Sequence, residues 1–205
     1  MPMDGIFMLE TKRQAVHLCL GMTISALVYY LMPTLGIFVL APLIIALLGL
    51  YYVPKIWPNL KIANHLITHF ERDADAEKFP FKGSVWYGLG IIPPITAAAT
   101  GMIPLSVACA IIAVLSVGDS TCTWVGKFFG KIRIGHKSVE GFLTFAILSS
   151  LAVLIYVQNY PLALIFGFGG AILELYTLMD DNFFIPFGLT MIYYLLNIIA
   201  PNLIG

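Results

Sequence analysis

Two acidic motifs and one basic segment stand out in a chain that otherwise carries little charge. Asp119 follows Gly118 at the end of a long uncharged run, with Thr123 one helical turn further along the same face. A carboxylate in that position is suited to hold a hard cation through oxygen ligands. Asp180-Asp181-Asn182 sets a second pair of carboxylates later in the chain, after Glu174. Glu174 falls about a turn inside an apolar run, where an ionised carboxylate needs a partner. Between these acids lie Lys127 and the compact basic stretch Lys131-Ile132-Arg133-Ile134-Gly135-His136-Lys137-Ser138, followed by Glu140. Basic residues beside glycines, with a Lys-Ser pair ahead of a helix, favour phosphate binding. Gly118, Cys122, Gly126 and Gly130 recur every fourth residue, a small-residue face whose simplest use is close helix contact.

The elements that hold these groups follow from composition. Of 205 residues, 60% are hydrophobic and 11% are charged, against roughly 25% charged in a soluble domain. Such a chain cannot cover a water-facing surface, so lipid must cover much of it. Eleven basic and eleven acidic residues cancel, a balance that by itself argues neither way on nucleic acid. Cys19, Cys109 and Cys122 are far apart and form neither a disulfide framework nor a zinc spacing. The N-terminus does not read as a cleaved signal, because its apolar stretch is too long and more spans follow.

Residues 14–54, 83–118, 141–173 and 182–205 contain no Asp, Glu, Lys or Arg. A crossing helix needs about 20 apolar residues, so these runs predict seven spans in a single all-α membrane domain over residues 1–205. Their expected positions are 15–32, 36–53, 84–100, 102–118, 141–157, 162–178 and 185–201. With seven spans every Lys and Arg falls on one side, which the positive-inside rule makes cytoplasmic, with the C-terminus opposite. Residues 56–72 read as an amphipathic interfacial helix, with His65 and His69 on its wet face and no third metal ligand nearby. Pro93-Pro94 should break or kink the third span, giving either a simple bend or a widened lipid entrance.

Taken together, Gly118-Asp119 with Gly126 and Gly130, then Lys137-Ser138-Val139-Glu140-Gly141, resemble the signature of the CTP-dependent lipid-alcohol kinases. That family holds the dolichol, polyprenol and phytol kinases and the yeast-type diacylglycerol kinase, and is distantly similar to the phosphatidate cytidylyltransferases. Arg13 and His17 resemble its N-terminal Arg-Lys-x-x-His element. Glu174 with Asp180-Asp181-Asn182 and Pro186 resembles its late acidic element, and Glu71-Arg72 ahead of Gly83 and Tyr87-Gly88 also looks similar. Gln14, Cys122 and His136 depart from the family pattern, which usually has Lys, Ala and Lys there.

The resemblance implies a kinase with a cytoplasmic active site, CTP as phosphate donor, Mg²⁺ as cofactor and a long-chain lipid alcohol as acceptor. No nucleic-acid partner is expected. Asp119, Asp180 and Asp181 are the expected metal ligands. Arg13, Gly126, Lys127, Gly130, Lys131, Arg133, Lys137, Ser138, Glu140 and Asn182, mostly in a loop at about 118–141, are the expected nucleotide-binding residues. Asp119, Asp180 and His17 are the catalytic candidates, with Asp180 or His17 as general base. If Asp119 and Asp180-Asp181 serve one metal–triphosphate centre, their helix ends must be neighbours. A cytidylyltransferase releasing pyrophosphate, or a small transporter, are the alternatives.

Overall fold

The computed structural model describes residues 3–61, 65–67, 79–177 and 179–204. Nearly all of them are helical. Helix α1 (Met3–Leu35) runs 33 residues, which at 1.5 Å per residue is about 50 Å, well beyond the roughly 30 Å of a bilayer core. It stops where Gly36 takes φ +56°, a left-handed conformation open to glycine. A 3₁₀ turn (Gly36–Val39) then leads into α2 (Leu40–Ile56).

Helix α3 (Lys82–Ala99) contains Pro93 and Pro94 without interruption, so the expected break is absent. It ends at Thr100, whose hydroxyl donates to the Thr96 carbonyl at 3.0 Å, before Gly101 turns the chain at φ +76°. Helix α4 (Leu105–Val114) passes through a π turn (Leu115–Asp119) directly into α5 (Ser120–Phe128). The fourth helix therefore does not end at residue 118, and the stretch at 118–141 is helical as far as Phe128. The remainder is a hairpin of β1 (Arg133–Ile134) and β2 (Lys137–Ser138), paired antiparallel with Ile134 opposite Lys137. Its two-residue turn starts at Gly135, φ +60°, the residue such tight turns favour.

Helix α6 (Val139–Tyr156) is capped by the Ser138 hydroxyl, which accepts from the Gly141 amide at 3.1 Å. Helix α7 (Tyr160–Leu175) is capped by Asn159, and α8 (Asp181–Ile199) by Asp180. A short α9 (Pro201–Ile204) closes the described chain.

Helix α4 is the axis of the bundle. Every residue from 107 to 115 is buried, as befits a helix apolar on all sides, and α1, α3 and α6 pack around it. The outer faces are also apolar: Tyr30, Ile45, Ile155 and Ile199 are among the most exposed side chains. Apolar surface on this scale is suited to lipid. Among the described residues, four helical stretches are long and apolar enough to cross a membrane: Phe7–Ile56, Leu105–Phe128, Val139–Tyr156 and Asp181–Ile199. The first joins α1 and α2, and Tyr160–Leu175 is a shorter apolar helix. Each expected span overlaps a helix, but Lys82–Ala99 is not among the stretches apolar enough to cross. Of the interfacial helix expected at 56–72, residues 62–64 and 68–72, including His69, Glu71 and Arg72, lie outside the described residues.

Candidate functional site at one pole of the bundle

The π turn sets Asp119 where it meets groups from three other parts of the chain. π turns insert a residue into the helical register and re-aim the side chains that follow. Asp119 Oδ2 lies 3.7 Å from His17 Nε2 of α1. The π turn packs on α7 and α8, and the charges of Asp181, Lys137, Glu174 and Asp180 all act on the Asp119 carboxylate. The His17 ring stands edge-on to Tyr87 at 4.8 Å, and the Tyr87 hydroxyl shares a 2.8 Å hydrogen bond with Ser116. Gly21 makes this approach possible, since a Cβ there would sit 2.0 Å from Ser116 Oγ.

Lys137 is the cation at the centre of the acids. Its ammonium donates to buried Glu174 Oε1 and, at 2.9 Å, to Asp181 Oδ2. Burial pulls the Lys137 pKa down, but Glu174 and then Asp181 outweigh it and hold the pKa above its ordinary value. Two carboxylates contact this ammonium and its charge also acts on Asp119, and like charges at such range repel unless cations sit among them. At the start of α8, Asp180 Oδ1 accepts from both the amide and the side-chain nitrogen of Asn182, at 3.2 and 3.1 Å. Burial pushes the Asp180 pKa up.

A cavity of about 480 Å³ opens beside this cluster, lined by Gly126, Lys127, Arg133, Lys137, Ser138 and Glu174, among others. Its volume falls within the 300–1,000 Å³ usual for small-molecule sites. Four buried polar atoms lack a hydrogen-bond partner among the described residues: Arg13 Nη1, His17 Nε2, Ser120 Oγ and Asn182 Oδ1. A buried polar atom without a partner is costly, and these four belong to, or directly adjoin, the motifs that carry the acids and the N-terminal Arg and His.

Not every expected nucleotide-binding residue faces the cavity. Glu140 turns its carboxylate onto the loop backbone, accepting from the Lys131 amide at 3.0 Å and the Ile132 amide at 3.2 Å. Gly130 is needed for packing, because a Cβ there would meet the Gly126 carbonyl at 2.4 Å. The small-residue face lies against α6: a Cβ on Gly118 would strike Phe145, and one on Gly126 would reach Ser138 and Gly141. Arg133 donates to the Gly126 carbonyl at 3.3 Å, and Lys131 is exposed.

Sequence reading missed Glu10. It is 2% exposed, accepts from Lys127 Nζ at 2.7 Å and lies 3.7 Å from Arg13 Nη1. It thereby holds two expected phosphate-binding cations together. Its signal was an acid three residues before Arg13 and four before Gln14, on one helical face. Trp124 adds to this joint, donating from Nε1 to Thr11 at 2.9 Å.

The donors present suit Mg²⁺. Among the described residues no group of three His, Cys, Asp or Glu is arranged to hold a metal. Mg²⁺ rarely uses an all-protein cage, however; it takes one or two carboxylates and fills its shell with water and substrate phosphates. Asp119, Asp180 and Asp181, with the unpaired Asn182 Oδ1 next in the chain, are hard oxygen donors of the kind such an ion takes.

No family model matches the chain, and no solved structure shows a significant match. A relative from Methanocaldococcus jannaschii, the uncharacterized protein MJ1137, is 30% identical over 190 residues, covering 88% of this chain and 90% of the relative. Similarity of that extent, along nearly the full length of both chains, places this protein in the same family as the uncharacterized protein MJ1137 of Methanocaldococcus jannaschii.

Proposed function

We propose that this protein is a membrane kinase that transfers the terminal phosphate of CTP to the hydroxyl of a long-chain lipid alcohol, with Mg²⁺ as cofactor. One observation carries the reading. Residues as far apart as His17, Asp119, Lys137 and Asp181 meet at one pole of an apolar bundle, beside a cavity of nucleotide size that Lys137 also lines.

Phosphoryl transfer asks the protein mainly for cations on the phosphates, a metal, and alignment of donor with acceptor. Bound Mg²⁺ would neutralise charge on the triphosphate oxygens. Lys137, Lys127, Arg133 and Arg13 would offset charge that develops on the β- and γ-phosphates. Asp119, Asp180 and Asp181 would hold the metal, and Ser138 and Asn182 would bond nucleotide or metal-bound water. The acceptor hydroxyl oxygen attacks the γ-phosphorus, the bond to the β–γ bridging oxygen breaks, and CDP leaves. The hydroxyl proton passes to Asp180 or His17. In this reading the chain crosses the membrane seven times, with the N-terminus and active site cytoplasmic and the C-terminus opposite. The CTP preference rests on the motif resemblance alone.

The test is purified protein with γ-labelled CTP, Mg²⁺ and a panel of polyprenols, phytol, geranylgeraniol and diacylglycerol. The expected products are a labelled lipid phosphate and CDP. Release of pyrophosphate with a CDP-lipid would instead identify a cytidylyltransferase, and no transfer to any lipid would overturn the reading.

A further inference from the structure

A second cavity, of about 400 Å³, lies outside the charged site. It is an apolar groove between α2 and α3, walled by Leu47, Tyr51, Phe79, Val85, Trp86 and Leu89. Gly88 lets α2 seat on α3 beside it, since a Cβ there would be 2.3 Å from Leu47 Cδ2. Three aromatic rings crowd the end nearer the charged pole. Tyr51 and Phe79 stand edge-on at 5.5 Å, and Lys55 Nζ sits 3.5 Å over the Tyr51 ring, so the mouth has a cationic rim.

The groove ends against the start of α8 at Trp86. Trp86 packs on Phe183, ring centroids 6.1 Å apart, and Phe183 immediately follows Asn182. Helix α3 lies hard against that turn, for a Cβ on Gly90 would come within 2.0 Å of the Asn182 carbonyl oxygen. The charge of Lys82 at the head of α3 acts on Asp180. One Trp ring thus separates an apolar channel from the acidic helix start. Along α3 the groove reaches from Val85 to Ile92, about 10 Å at 1.5 Å per residue, or a third of the roughly 30 Å hydrocarbon.

Resting on the kinase reading above, we propose that this groove holds the apolar chain of the acceptor lipid, with its hydroxyl end delivered past Trp86 to Asp180 and Asn182. The occupant is an uncharged long-chain alcohol. An anionic phospholipid headgroup following the same path would meet Asp180 and Asp181, whereas a neutral hydroxyl can donate to them. Lipid tails are as apolar as the groove wall, so the groove selects by its rigid aromatic shape and its polar exit.

The test is photo-crosslinking in nanodiscs, without nucleotide, using a long-chain alcohol that carries a diazirine in its tail. Labelled peptides should cover residues 44–52 and 85–92, and unlabelled alcohol should compete where added phospholipid does not. Leu48→Trp fills the groove from a half-exposed position on its wall. It should cut this labelling and raise the KM for the alcohol about tenfold while leaving the KM for CTP unchanged. Leu151→Trp on the outer face of α6 should change neither. Labelling spread evenly over the lipid-facing surface, or an unaltered Leu48→Trp variant, would overturn the groove. A wild-type protein that is labelled at the groove yet transfers no phosphate would overturn the kinase reading and leave the groove standing.

Discussion

Lys137 and Asp181 stand 44 positions apart in the chain, and Lys137 Nζ donates to Asp181 Oδ2 at 2.9 Å. The same ammonium holds Glu174, so a single side chain ties the hairpin to the end of α7 and the start of α8. The folded-state pKa of Lys137 lies above its unfolded value. Its contribution to stability is therefore fully present below the unfolded pKa, and is lost only as pH rises through the folded one. At neutral pH the ammonium is therefore charged.

Removing the ammonium leaves Glu174, 4% exposed, as a buried charge without its cation. Lys137→Ala should cost about 1–3 kcal/mol of stability, less than a fully buried broken pair because Lys137 is 36% exposed. Adding Glu174→Gln should restore much of the loss. Thermal unfolding in detergent checks this, and a double variant less stable than Lys137→Ala would refute the pairing as the cause.

Asp119→Asn keeps the shape of the side chain and removes the charge facing His17 and the α8 acids. Turnover should fall by about 10²-fold or more with an unchanged melting temperature. Normal activity at limiting Mg²⁺ would take Asp119 out of the metal site.

Glu140 accepts from two loop amides and lies outside the cavity lining. Glu140→Ala should speed hydrogen exchange at the Lys131 and Ile132 amides while the helices stay protected. If CTP affinity collapsed and loop exchange did not change, Glu140 would be a nucleotide ligand after all.

Gly118 touches α6 so closely that a Cβ would lie 2.5 Å from Phe145 Cζ and from Ser149 Oγ. Gly118→Ala should overpack the joint and cost about 1–3 kcal/mol. Gly49 has open space around its would-be Cβ, so Gly49→Ala should be neutral or stabilising by up to about 1 kcal/mol. Equal melting temperatures for the two variants would show that the contact of the π turn with α6 has room for a methyl group.

Sidedness is open to labelling. In a Cys19→Ser background, Ile132→Cys in the exposed hairpin should resist an impermeant thiol reagent in sealed cells. Tyr160→Cys at the opposite turn should react. Strong external labelling at position 132 would invert the topology.

Several features were legible in the residues because their causes are local. Long uncharged runs allow only burial or lipid, and they mark the helices α1 to α4 and α6 to α8 to within a few positions, apart from two extensions. Helix α1 begins well before the expected span, and α5 carries the fourth helix on to Phe128. The Lys-Ser pair ahead of a helix was legible too, and Ser138 caps α6. Helix continuation past Gly118 was not local: it depends on Gly118 of the π turn and Gly126 of α5 packing onto α6 and its cap, which supplies burial that the polar residues around Asp119 cannot supply alone. The π turn, the Glu10–Lys127 joint across 117 positions and the closure of Lys137 on Asp181 likewise follow from how helices pack. Side-chain type states which charges need partners, but only the arrangement of helix ends decides which partners are within reach.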